Sequence, residues 1–218
     1  VTPTTREGAA TPLPSRLRDI IDALGEVGRP AMAGVWREDS CIAATAIVLE
    51  TLGAFGYGAV ALPVETRCIN RPLADWMRSR VGPPPRDGWE VDLGLVESAA
   101  LPGKGGRTEG KELHLVAFLP DAGTLVDIAL DQASRPAKGL DLGPTLFSAN
   151  AERIGTFLRG EPIGWTTEEG ALLMYRLRPP DVTWWRSSPN FGRRDAAKRA
   201  RVVGAVVRWL AAKGTARN

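Results

Sequence analysis

From Cys41 to Leu49 every residue except Thr45 is apolar. A helix with no polar face belongs in the middle of a fold. Asp39 and Ser40, both capping types, stand before this run, and Gly53 and Gly56 end it. Upstream, SRLRDIIDALGEVG sets Leu17, Ile20, Ile21 and Leu24 at helical spacing, with Gly25 or Gly28 as the stop. Residues 1–15, rich in Thr, Pro and Ala, read as a flexible tail.

Downstream the period changes. YGAVALPVETRCIN reads as a strand, WEVDLGLV alternates, and ELHLVAFL and TLVDIALD flank a PDAG turn. PLADWMRSR is a short helix with Pro72 in its first turn. After Asp131, Pro136, Gly139, Gly143 and Pro144 mark irregular chain. ANAERIGTFLRG reads as a helix and GALLMYRL as a last strand. The final helix, RRDAAKRARVVGAVVRWLAAKG, is basic on one side, with Val202, Val203, Val206, Trp209 and Leu210 on the other. This order predicts an α+β fold, a buried Cys-bearing helix packed on a mainly antiparallel sheet. Residues 16–190 form the domain, and the basic helix of 191–218 packs on it.

Composition agrees with one soluble domain: 218 residues, 44% hydrophobic and 24% charged. No apolar leader segment and no run of about 20 apolar residues is present. The expected location is therefore cytoplasmic. The net charge of +3 is uneven, because residues 191–218 carry +7 and the rest −4. Two cysteines and one histidine are too few for a structural zinc site. No metal and no cofactor are expected.

Candidate chemistry begins at Cys41. In the first turn of a helix the backbone N–H groups lack intrahelical partners and the dipole end is positive. That setting favours a thiolate, and free N–H groups suit an oxyanion. On its own, a cysteine there is more often a core residue. His114 lies between leucines, and Asp127 lies within an apolar strand, where a lone carboxylate is costly. A two- or four-residue PDAG loop pairs Leu119 with Thr124 and Val116 with Asp127. His114 and Asp127 then share a face as diagonal neighbours. Leu113, Leu115, Ala117, Val126, Ile128 and Leu130 form the other, core face. A carboxylate can thus orient the single imidazole, which can serve the thiol.

DSCIAATAIVLETLG followed by HLVAFLPDAGTLVDIALDQASRP resembles the transglutaminase-like superfamily of papain-type thiol enzymes. The resemblance covers roughly residues 36 to 135. It implies a transglutaminase-like, papain-like core, with Cys41 as nucleophile, His114 as general base and acid, and Asp127 as orienter. It implies attack on an amide or peptide carbonyl through a thioester, with water or an amine taking the acyl group. Ile42 stands where many members have an aromatic, and Leu115 and Val116 stand where many have Ala-Trp. Trp36 and Arg37 are candidate oxyanion donors or site walls by proximity, with core packing the simpler reading of Trp36.

Other signals are weaker. Gly105, Gly110 and Lys111 match most of a phosphate-binding loop, but Glu112 replaces the metal-holding hydroxyl and a strand follows. The segment reads instead as a mobile loop leading to His114, able to gate the site, or simply as a surface loop. Cys68 reads as structural, and Trp184 and Trp185 as packing, with a substrate-binding wall as the alternative. Two readings compete with the thiol enzyme. One is a catalytically inactive binding or scaffold protein on the same fold. The other is a basic protein that meets nucleic acid or an acidic partner through Arg193, Arg194, Lys198, Arg199 and Arg201. A solvated helix face is the commoner explanation of such a cluster, and no recognition module accompanies it.

Overall fold

A computed structural model describes residues 15–33, 35–36, 40–94, 108–111, 114–179 and 182–215. Helix α1 (Ser15–Ala23) buries Leu17, Ile20 and Ile21. The glycines expected to stop it do not. The chain runs on through a wide π turn at Leu24–Gly28 into α2 (Arg29–Ala33). Close packing explains this: a Cβ on Gly28 would lie 3.3 Å from Val206 Cγ2 of the C-terminal helix. The missing side chain serves helix contact here rather than helix termination.

Helix α3 (Ser40–Ala54) is the apolar run, buried along its whole length from Cys41 to Val48. Burying Ile47, Val48 and Leu52 contributes about 1.5–3 kcal/mol each. Thr45, the polar exception, donates its hydroxyl to Leu115 O at 2.7 Å. One hydrogen bond thus fastens the helix to the sheet.

The sheet is built on β1 (Val60–Ile69). Asn70 then caps α4 (Arg71–Ser79), with Pro72 in its first turn. The remaining strands are β2 (Glu90–Leu93), β3 (Thr108–Lys111), β4 (His114–Leu119), β5 (Thr124–Asp127), β6 (Thr145–Ser148), β7 (Ile163–Thr166) and β8 (Leu172–Leu177). Helix α5 (Ala151–Leu158) joins β6 to β7, and α6 (Ala196–Thr215) follows β8. The fold is α+β, and its pairings are antiparallel except β2 with β3.

The pairing of β1 places the site. Val64 pairs with both His114 and Leu177, and Thr66 pairs with both Leu93 and Tyr175. A strand has two edges, so β8 occupies one of them. β2 and β4 share the other, end to end. His114 opens β4 at the junction.

The β4–β5 hairpin has the counted register, with Leu119 opposite Thr124. Its PDAG loop is a 3-10 turn closed by Gly123 at φ +55°. β5 is shorter than its sequence suggests. After Asp127 the backbone turns, because Asp127 Oδ1 accepts the Ala129 N–H at 3.1 Å and draws it out of the ladder. β6 arises where irregular chain is expected, and β7 in a stretch without a strand signal. Each is only four residues long, too short to show a period.

Both faces of the sheet are buried. Leu115, Ala117, Leu119, Val126 and Ile128 meet α3. Val116, Phe118 and Leu125 join a second core with Phe147, Phe157 and Tyr175. Leu130, expected on the first face, belongs to the second, because the turn after Asp127 changes its side. Leu113 lies outside the described residues. α6 packs on α1 and α3 through Val202 and Val206.

Candidate active site

Cys41 is the second residue of α3, in a first turn whose N–H groups have no intrahelical acceptor. Asp39, one of the two expected caps, lies outside the described residues. Cys41 is 4% exposed. His114 is fully buried, and its Nε2–H donates to Asp127 Oδ2 at 2.7 Å. A carboxylate only accepts, so this bond fixes the proton on Nε2 and leaves Nδ1 as the basic nitrogen. Nδ1 is buried with no hydrogen-bonded nitrogen or oxygen partner. The Cys41 thiol lies beside the ring, close enough to act on its charge.

Strand alternation puts His114 on the face that carries Val116 and Phe118, whereas α3 covers the opposite face. The thiol and the imidazole therefore meet at the start of β4, at the break between β2 and β4 along β1. Burial alone would push the imidazolium down. The Asp127 charge and hydrogen bond, with the Cys41 contact, outweigh burial and lift it to about 10.

Asp127 has further partners. Tyr175 on β8 donates its hydroxyl to the same Oδ2 at 2.9 Å, and the Ala129 N–H occupies Oδ1. Sequence reading does not find Tyr175. It stands far along the chain, and the only signal is a polar atom at the end of the apolar run 172–174.

Trp36 does not supply an oxyanion donor. Its indole N–H donates to Asp195 Oδ2 at 3.4 Å and its backbone N–H to Met32 O at 3.0 Å. It is a buried anchor between the approach to α3 and the start of α6. Arg37 lies outside the described residues. So does most of the glycine-rich loop, of which Thr108–Lys111 is a strand beside β2.

Cys68 is fully buried on β1. Burial, and then the nearby charges of Asp127, Asp92 and Glu90, push its thiol well up. It stays protonated and is a poor nucleophile. Across the strand, Arg67 pairs with Glu90 and approaches Asp92 Oδ1 at 3.5 Å. That carboxylate oxygen makes no hydrogen bond. Among the described residues no group of three or more His, Cys, Asp or Glu could hold a metal, and no helix is long and apolar enough to cross a membrane.

The basic C-terminal helix is partly committed to the fold. Arg199 is 4% exposed and donates to Glu50, to Asn190 O and to Gly192 O at 2.7, 3.0 and 2.9 Å. Lys198 pairs with Asp195 at 3.1 Å. Arg193, Arg194 and Arg201 are exposed. Trp185 is buried edge-on against Phe191.

No family model, no curated protein and no solved structure matches this chain.

Proposed function

We propose that this protein is a cysteine-dependent hydrolase or acyltransferase acting on an amide or peptide carbonyl, on a transglutaminase-like, papain-like core. The observation that carries the reading is the bond from His114 Nε2 to Asp127 Oδ2, which turns Nδ1 toward thiol chemistry. In the proposed cycle the Cys41 proton already rests on His114 Nδ1, as the imidazolium, when sulfur bonds to the carbonyl carbon. The C–N bond then breaks, and the imidazolium gives that proton to the leaving amine. Water or an amine attacks the resulting thioester, loses a proton to Nδ1, and frees the sulfur as a thiolate, which restores the starting pair with the imidazolium. In this cycle the helix N–H groups at the start of α3 receive the oxyanion.

A thiol-directed electrophile tests this. Labelling should occur at Cys41 in the wild type and in Cys68→Ala, and should slow at least tenfold in His114→Ala, on the order expected for loss of a general base. Equal labelling of both thiols, insensitive to His114, would overturn it.

One observation favours a second reading, a non-catalytic binding protein on the same core: Cys41 and His114 are both buried. Under that reading the wild type gives no burst of acyl-thiol product with activated esters or amides.

A further inference from the structure

We infer that Tyr175 is a positioning residue of this site: its hydroxyl, brought by β8 to the oxygen that holds His114, fixes Asp127 and through it the imidazole. The functional meaning of this rests on the thiol–base reading above; the geometry rests on hydrogen bonds alone. Asp127 Oδ2 takes two donors, His114 Nε2 at 2.7 Å and Tyr175 Oη at 2.9 Å, and Oδ1 takes the Ala129 N–H at 3.1 Å. Three donors from β4, β8 and the turn after β5 leave the carboxylate no freedom to rotate.

The phenol is not held there by that bond. Tyr175 is fully buried, and its ring packs against Phe147 at 5.2 Å and Trp165 at 5.9 Å between centroids. The ring is fixed by its neighbours, so the hydroxyl is presented to Asp127 already oriented. A Phe at this position would keep the ring contacts and remove only the donor.

Two donors on one oxygen compete. The Tyr175 hydroxyl draws charge from Oδ2, and that charge is what grips the imidazolium. A stronger phenol donor loosens the grip, and an absent one tightens it. The groups around the imidazole are Asp127 and the Cys41 thiol; Tyr175 and Cys68 stand behind Asp127, with Glu90 and Asp92 beyond Cys68. Burial, and then the Asp127 charge, push the Tyr175 hydroxyl well up, so it remains a donor through the working pH range.

The chain has one histidine, so its ring proton resonances report His114 without ambiguity. The test is the His114 titration midpoint by NMR in three full-length proteins. These are the wild type, Tyr175→Phe, and a protein with 3-fluorotyrosine at 175 in a Tyr57→Phe background, since the chain has two tyrosines. Fluorination acidifies the phenol and strengthens it as a donor. The midpoint should rise by about one pH unit in Tyr175→Phe and fall in the fluorinated protein. Equal midpoints in all three, or shifts of the same sign in both modified proteins, would overturn the inference. If Tyr175→Phe does not fold, the downward shift on fluorination decides alone. Alkylation of Cys41 by iodoacetamide on the same samples tests the thiol–base reading separately. Loss of any His114 dependence would remove that reading while the titration still decides the role of Tyr175.

Discussion

Gly94 ends β2 against the first residue of β4: a Cβ on Gly94 would stand 3.0 Å from His114 N and 2.2 Å from Val64 O. The residue also holds φ +85°, a conformation that side chains with a Cβ rarely adopt. Both neighbours are backbone, so neither can swing aside. Gly94→Ala should cost at least about 2 kcal/mol in chemical denaturation and should displace His114. Wild-type stability in that variant would show that the two strand ends are not in contact.

Thr45 and Thr51 lie on the same helix and are both buried, but only Thr45 has a partner. Thr45→Val leaves Leu115 O without its donor and should cost about 1–2 kcal/mol. Cys41 alkylation should slow in parallel, because this bond sets the helix against the strand that carries His114. Thr51→Val removes an unsatisfied buried hydroxyl and should be neutral or stabilising by about 1 kcal/mol. Urea melts of the two variants, run side by side, check the contrast. Equal losses would sink it.

His114 should make stability depend on pH in a defined window. Burial opposes its charge, but Asp127 and Cys41 lift the folded value to about 10, above the ordinary 6.5. The folded state therefore binds the proton more tightly than the unfolded one. That contribution is fully present below pH 6.5 and is lost as the pH rises through 10. The stability of the wild type minus that of His114→Gln should be largest near pH 6 and decline steadily toward pH 10. A flat difference across that range would falsify the assignment of charge.

Asp92 gives a second window. Burial, and then the Glu90 charge, raise it to about 7, against the pull of Arg67. Its proton stabilises the fold fully below the ordinary carboxylate range, and this contribution is lost as the pH rises through 7. Asp92→Asn mimics the protonated form. Its melting temperature relative to wild type should increase between pH 5 and pH 8, and an unchanged gap would refute a protonated Asp92 in the fold.

The hairpin was legible because its register depends only on counting: an even loop puts His114 and Asp127 on one face. The apolar helix was legible because it has no polar face at all. Tyr175 was hidden because its partner lies across β1, and no local period signals a long-range hydrogen bond. WEVDLGLV shows a different failure. Its alternation suggests one wet face, yet Glu90 and Asp92 are both buried. Arg67 sits across the strand and makes that burial tolerable, a compensation visible only once β1 and β2 are paired. Gly28 misled for a related reason, since a helix-breaking residue was needed for a helix contact.

The place of β8 bears on how the protein is made. Synthesis runs from the N-terminus, so Cys41, His114 and Asp127 leave the ribosome well before Leu172–Leu177. Until then β1 lacks the neighbour that spans Val64–Ile69, and a row of backbone donors and acceptors stands open. The same late strand covers that row and delivers the Tyr175 hydroxyl. A nascent chain stalled before it would carry the thiol and the imidazole without a finished scaffold around them.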